Sequence, residues 1–246
     1  MTLEKSNNTL LSRLLRAVPD AAASLERVPL TPGAWPLEGT DSNAHVYFPE
    51  EGLVSLWRPG PQGAATVLAV AGRHSCLLPG YWQPGPFQAH VLVPGHAHRF
   101  NWSLVQSDSQ RYADWLLETA KASQQLIRQV AQMTYCVQHH GVAQRMASWL
   151  LICLNQNPQP SLQIQLAELK HWLCVSPEQF QSALVTLQAH AAIRLESPSS
   201  ADLLPEHEAM ASTLLHTSAP ARLEQLACSC HLQVQGGDSA QAHDGP

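Results

Sequence analysis

Apolar positions along this chain change their period from segment to segment. Leu10, Leu11, Leu14 and Leu15 recur at helical spacing over Thr9–Arg16, behind Asn8 and Thr9, so a short amphipathic helix capped by one of these two is expected. From Val28 to about Val105 the pattern shortens to β-type runs (HVYFP, GLVSLW, ATVLAV, AHVLVPG) cut by Pro and Gly. Short strands between turn residues predict a small antiparallel barrel or sandwich. Ser109–Thr134 then lacks both Pro and Gly. Leu116, Ala120, Ser123, Ile127, Val130, Thr134 and Val137 fall there at alternating spacings of three and four, a seam like that of a coiled coil. Several of its members are small or polar, which makes it weak alone. The helix either pairs with its own copy or lies on its own β-domain, with a second apolar edge (Leu117, Leu126, Met133) able to face that domain.

Beyond Gly141, Val142–Leu154 reads as another helix, ended by the Asn155–Pro160 loop. Leu162–Leu173 and Ser176–His190 read as two short helices around a tight Cys174-Val175 turn. Ser176 followed by Pro177 is a clean helix start, a hydroxyl N-cap and then a proline whose missing N–H is not needed. Helix, tight turn, helix and a β-like Ile193-Arg194-Leu195 form the outline of a winged helix-turn-helix. Ser197–Ser212 then reads as an enlarged wing loop. Gly236–Pro246 is a polar tail, expected to be disordered.

Composition narrows the function classes. The chain has 246 residues, 45% hydrophobic, with only 13% charged and a net charge of -5. That charge argues against indiscriminate binding to nucleic acid or acidic membranes. No apolar run approaches the ~20 residues of a membrane span, and Met1–Arg16 lacks a signal peptide's apolar core, so the chain reads as cytoplasmic. Six cysteines, at 76, 136, 153, 174, 228 and 230, are scattered and expected to be reduced. Cys228 and Cys230 form the one close pair, and C-x-C without a matching second pair is a weak metal signal. No G-x-S-x-G, Walker loop or H-E-x-x-H is present, so nothing recommends an enzyme.

Four stretches resemble the Crp/Fnr family of bacterial transcription regulators: Tyr47–Leu56 (YFPEEGLVSL), Val91–Arg99 (VLVPGHAHR), Cys136–Leu151 (CVQHHGVAQRMASWLL) and Ala227–Cys230, within ACSCH. Gln144-Arg145 and Trp149-Leu150-Leu151 are the most specific agreements. The resemblance covers about Leu10 to His231. It implies an α+β chain: an N-terminal antiparallel β-roll (a cyclic-nucleotide-binding-like jelly roll), a long dimerisation helix and a C-terminal winged helix-turn-helix. The expected domains are 1–106, 107–137 and 138–233, with the tail at 234–246. The family's long helix favours homodimerisation through Leu116, Ala120, Ser123, Ile127, Val130 and Thr134.

The resemblance thins where ligands would bind. Nucleotide-binding members carry a Gly-Glu turn followed by Arg, whereas Leu78–Gln88 (LPGYWQPGPFQ) has no Arg, no acid and three prolines that lack N–H donors. Arg73 and Arg99 only flank it, and no cyclic nucleotide is expected. The family's oxygen sensors have an N-terminal cysteine cluster, but no cysteine precedes Cys76, which argues against an iron–sulfur centre. Thirteen histidines raise a metal or haem reading. His96 and His98 alternate on one strand face and His90 sits on the preceding run, so all three are candidate ligands if they converge. More often such residues are polar strand positions, especially in a chain poor in Lys and Arg, and no cofactor is expected. His139-His140 falls in the interdomain signature, where a structural role is favoured.

The reading helix departs furthest from the family. Members place a turn Gly, a small residue, Ser-Arg, Glu and a further Arg there. This chain has Cys174, Val175, Ser176, Pro177, Glu178, Gln179, Phe180, Gln181 and Ser182, with both arginines lost to Pro177 and Ser182. Between Ser161 and Gln233 three cations (Lys170, Arg194, Arg222) face seven acids, a net -4. Non-specific affinity comes from neutralising phosphates, so this domain lacks most of the usual attraction. Gln179, Gln181 and Ser182 remain able to read bases beside Ser176 and Glu178, with Arg145, Lys170 and Arg194 on the backbone. The expected function is a transcription regulator that grips DNA weakly as a homodimer. The alternatives are a dimeric scaffold or protein-interaction regulator without DNA binding, and a metal or haem sensor using the β-roll histidines. The expected partners are thus a second copy, DNA and a further protein, without a membrane.

Overall fold

The computed structural model describes residues 6–35, 45–60, 65–78, 88–101, 103, 109–173, 175–197 and 212–235. The chain divides into two compact units, 1–124 with 156–159, and 125–155 with 160–246. The fold is α+β, with antiparallel sheets. Residues 79–87 of the nucleotide loop, Cys174, 198–211 of the wing loop and the tail from Gly236 lie outside the described residues.

In the first unit, α1 (Thr9–Ala17) starts at Asn8, whose side chain accepts the N–H groups of Leu10 and Leu11. The same amide donates to the carbonyls of Pro49 and Ser75, both at 2.9 Å, so one buried residue caps the helix and fastens it to the sheet. A 3-10 turn over Pro19–Ser24 leads to β1 (Glu26–Leu30) and β2 (Gly33–Trp35). The long strands β3 (His45–Pro59), β4 (Ala65–Ala71) and β5 (Gln88–Asn101) follow. The order is β1-β5-β3-β4, with β2 also on β5, and every pairing is antiparallel. The register between β3 and β5 shifts near Glu51 and Gly52. Gly52 has φ +90°, and a Cβ there would meet the Val93 carbonyl oxygen at 2.5 Å, so the bulge requires glycine.

The helix α2 spans Ser109–His139. Its buried edge begins Trp115, Thr119, Ala122, and Trp115 and Ala122 join Leu11, Leu14, Phe48 and Phe100 in the core. This corrects the expected second edge at Leu117, which is 56% exposed; Leu126 and Met133 of that edge are half-buried. Offset from the buried edge, Leu116, Ala120, Ser123, Ile127 and Thr134 are exposed or half-buried, as is Val130.

In the second unit, α3 (Val142–Gln156) buries Met146, Trp149 and Leu150, and Trp149 packs against Trp172 at 4.9 Å between ring centroids. Leu162–Gln165 is a strand, β6, not the start of a helix. Leu162 and Ile164 are buried while Gln163 and Gln165 face solvent, the two-residue period of a sheet with one wet face. Helix α4 runs over Leu166–Leu173 and α5 over Pro177–Ala189. Strands β7 (Arg194–Glu196) and β8 (Leu214–Thr217) complete a three-stranded antiparallel sheet in the order β6-β8-β7. Two short helices, α6 (Pro220–Leu226) and α7 (Cys230–Gln235), end the described chain.

Candidate nucleic-acid interface

α4 and α5, followed by the strands β7 and β8, form the helix-turn-helix. The start of α5 is reciprocally capped. The Ser176 hydroxyl accepts the Gln179 N–H at 3.3 Å, and the Gln179 side-chain oxygen accepts the Ser176 N–H at 3.3 Å. Phe180, Ala183, Leu184 and Leu187 hold the helix on the domain. Glu178, Gln181, Ser182 and Val185 are exposed, and their spacing of three, one and three places them on one outward stripe. That stripe carries two hydrogen-bonding side chains, an apolar valine and an acid, with no cation anywhere on the helix.

Ser176 and Gln179, both candidates for base contact, are thus occupied in the cap. The Ser176 hydroxyl and Glu178's own backbone N–H hold the Glu178 carboxyl below its ordinary range, and the Lys170 charge adds to this. Lys170 is half-buried on α4, and Arg194 is exposed on β7. Arg145 does not join them. It is 7% exposed and donates to the Leu173 carbonyl at 2.7 Å, so its guanidinium completes the buried end of α4 and is not available to a phosphate. It is withdrawn from the DNA-contacting set. Beside the outward stripe, an open groove is lined by Gly141, Val142 and Gln144 at the start of α3 and by Glu178, Gln179 and Ser182 of α5.

The β-roll histidines do not converge. The Pro94-Gly95 pair, expected to separate two runs, lies inside β5, so His90, His96 and His98 belong to a single strand. At ~3.3 Å per residue, His90 lies roughly 20 Å from His96. Each has its own neighbour: His90 stacks on Trp57, His96 meets Arg27 at 3.2 Å, and His98 meets Glu50 at 3.2 Å. The metal or haem reading through this trio is overturned. Glu50, almost wholly buried, resists ionisation through its burial. Hydrogen bonds from His98, Ser6 and the Asn7 N–H outweigh that and lower its pKa.

One grouping escaped the sequence reading. Cys136 and His140, one turn apart at the end of α2, meet Cys228 and Cys230, with the four potential ligand atoms within 4.8 Å of one another. Both halves are visible in the sequence, but nothing in the spacing brings them together.

No protein-family model matches the chain, and no curated protein matches it in sequence. Solved structures do match its fold. A CRP-family transcriptional regulator from Thermus thermophilus superposes with a TM-score of 0.56 at 16% identity, over 82% of this chain and 95% of that one. FixK2 from Bradyrhizobium japonicum gives 0.55 at 15% identity, over 83% and 98%. CooA from Carboxydothermus hydrogenoformans gives 0.51 at 10% identity, over 82% and 88%. None of the described helices is long and apolar enough to cross a membrane. With an antiparallel β-roll, a long helix and a winged helix-turn-helix in this order, the chain has the fold of the Crp/Fnr transcription regulators.

Proposed function

We propose that this chain is a transcription regulator of the Crp/Fnr type that binds DNA as a homodimer, with α5 in the major groove. The observation that carries this reading is the stripe on α5. A capped helix, held by four buried side chains, turns Glu178, Gln181, Ser182 and Val185 outward from a helix-turn-helix. Gln181 has the donor and acceptor that pair with adenine, Glu178 accepts from a cytosine amine, and Val185 suits a thymine methyl. Lys170 and Arg194 are left for the backbone, which makes the grip weak. Two-fold symmetry doubles what each half-site contributes.

A second reading rests on the same stripe. With no cation on α5 and Glu178 ionised, the helix itself presents phosphates with an acid, as a protein-interaction scaffold would. A genome-wide DNA pull-down with the native protein, repeated with Pro177→Arg/Ser182→Arg, separates the two. For a regulator, native protein enriches discrete sites at low salt, and the double variant binds them more tightly. The log–log salt slope then steepens by about 0.9 per added phosphate contact. Unenriched fragments and an unchanged slope favour the scaffold.

A further inference from the structure

We propose that Cys136, His140, Cys228 and Cys230 form a binding site for one divalent, thiol-seeking metal ion, of which zinc is the fitting member. The four ligand atoms lie within 4.8 Å of one another, and the three cysteines are 5–6% exposed. The Cys136 and Cys228 sulfurs are 3.4 Å apart, and the Cys230 sulfur is 3.5 Å from His140 Nδ1. A tetrahedron with metal–ligand bonds of ~2.0–2.3 Å has edges of roughly 3.4–3.8 Å. The two shortest separations match such edges, and the widest, within 4.8 Å, would close by about 1 Å around one ion, leaving too little room for a multi-iron cluster.

Three thiolates and a neutral imidazole are the donor set of structural zinc sites, and this softness disfavours magnesium and calcium. Two local elements supply the ligands. Cys136 lies in the last turn of α2 and His140 just past its end, with the His140 N–H donating to the Cys136 carbonyl at 3.0 Å. Cys228 and Cys230 flank the entry to α7. Two of the sulfurs have polar side chains beside them. Gln132 Nε2 donates to the Cys230 sulfur at 3.0 Å, and the Ser148 hydroxyl donates to the Cys228 carbonyl oxygen at 3.0 Å while lying 3.0 Å from the Cys228 sulfur. His231 Nδ1 lies 2.7 Å from the Cys228 carbonyl oxygen, an N–H donation that braces the C-x-C turn. Such outer hydrogen bonds orient ligands and offset the negative charge that three thiolates leave on a divalent ion. On binding, each thiol gives up its proton to solvent and the sulfur lone pair forms the bond to the ion, with no change of oxidation state.

The competing chemistry is a disulfide between Cys136 and Cys228. The test uses full-length protein, purified without an affinity tag or chelator under a reductant. Elemental analysis and native mass spectrometry are expected to give one zinc per chain. Titrating the reduced, metal-free protein with Co2+ is expected to produce the visible bands of tetrahedral cobalt–thiolate with a one-to-one end point, bleached by added Zn2+. Cys230→Ser and His140→Gln should each weaken Zn2+ binding by more than the roughly 10–100-fold that loss of an outer partner alone causes. His190→Gln, at an exposed histidine elsewhere, should leave it unchanged. The proposal is overturned if fully reduced wild-type protein gives no cobalt–thiolate bands. A Cys136–Cys228 disulfide in protein isolated from the cytosol with its thiols trapped would also overturn it. Because the cobalt spectrum is read on wild-type protein, a variant that fails to fold leaves the test intact.

Discussion

Ile127→Glu is the perturbation that bears most directly on the proposed dimer. Ile127 is 69% exposed at the centre of the α2 seam, with Leu116 40% and Val137 57% exposed along the same line. Full burial of such a side chain is worth roughly 1.5–3 kcal/mol, so about 1–2 kcal/mol per copy at Ile127 awaits a partner. A two-fold interface contains the residue twice, which doubles the loss to about 2–4 kcal/mol, or roughly 30- to 1,000-fold in the dimer Kd. Burying two glutamates adds to that figure. Sedimentation velocity from nanomolar to tens of micromolar protein reads the shift, with Lys121→Glu placing the same charge off the seam. The reasoning fails if Ile127→Glu leaves the Kd within a few-fold of wild type, or if Lys121→Glu is as disruptive. Wild-type protein that stays monomeric across the range would remove the dimer altogether.

Three further outcomes follow from local geometry. Ser176→Ala removes the hydroxyl half of the α5 cap and should cost about 1 kcal/mol, lowering the melting temperature by several degrees in calorimetry. Ala191, just past the His190 C-cap of α5, has φ +50°, so Ala191→Gly should relieve strain and raise stability by about 1 kcal/mol in denaturant unfolding. The Glu50 carboxyl is held below its usual pKa when folded, so its contribution is present above about pH 4.5, the unfolded range, and is lost as pH falls through the folded value. Glu50→Gln should flatten the acid limb of a stability–pH profile, and a profile parallel to wild type would contradict the assignment.

Much of the fold was legible because local signals agreed. The cap at Ser176, the proline after it and the Pro- and Gly-free α2 each specify their element alone. Where two periods fit the same letters, the sequence was ambiguous. Leu162, Ile164, Leu166 and Leu169 satisfy helical and strand spacing alike, and only pairing with β8 makes the first two a strand. Pro94-Gly95 carries a turn signal, yet β5 continues through it. Gly95 lies against the Glu51 backbone, where no Cβ would fit, so that glycine serves close approach, not chain reversal. The same continuity separates His90 from His96. Arg145 was misplaced because a long cation beside a DNA-binding element invites a phosphate partner, while its burial depends on α3 meeting α4. The thiol site was the least legible of all. Cys136 and Cys228 are 92 residues apart, and that pairing is set by the tertiary fold.

The dimer seam and the thiol cluster meet on the last turns of α2. Thr134 and Val137 belong to the seam, while Cys136 of the same turns and His140 just past them point to the metal site. An ion held by Cys136 and His140 opposes fraying of those turns, where isolated helix ends are weakest. The seam needs the turns helical to present Val137, which is 57% exposed. Its burial is worth about 1 kcal/mol per copy, so removing the ion should weaken the dimer by at most about 2 kcal/mol, near 30-fold. Linkage makes the effect reciprocal, so monomeric Ile127→Glu should bind Zn2+ less tightly by up to the same factor, shared between the two sites of a dimer. Sedimentation of reduced protein with and without Zn2+ measures the first quantity, and chelator competition on wild type and Ile127→Glu measures the second. Equal dimer affinities in the two metal states would separate the sites, leaving the ion to staple only the C-terminal segment to α2.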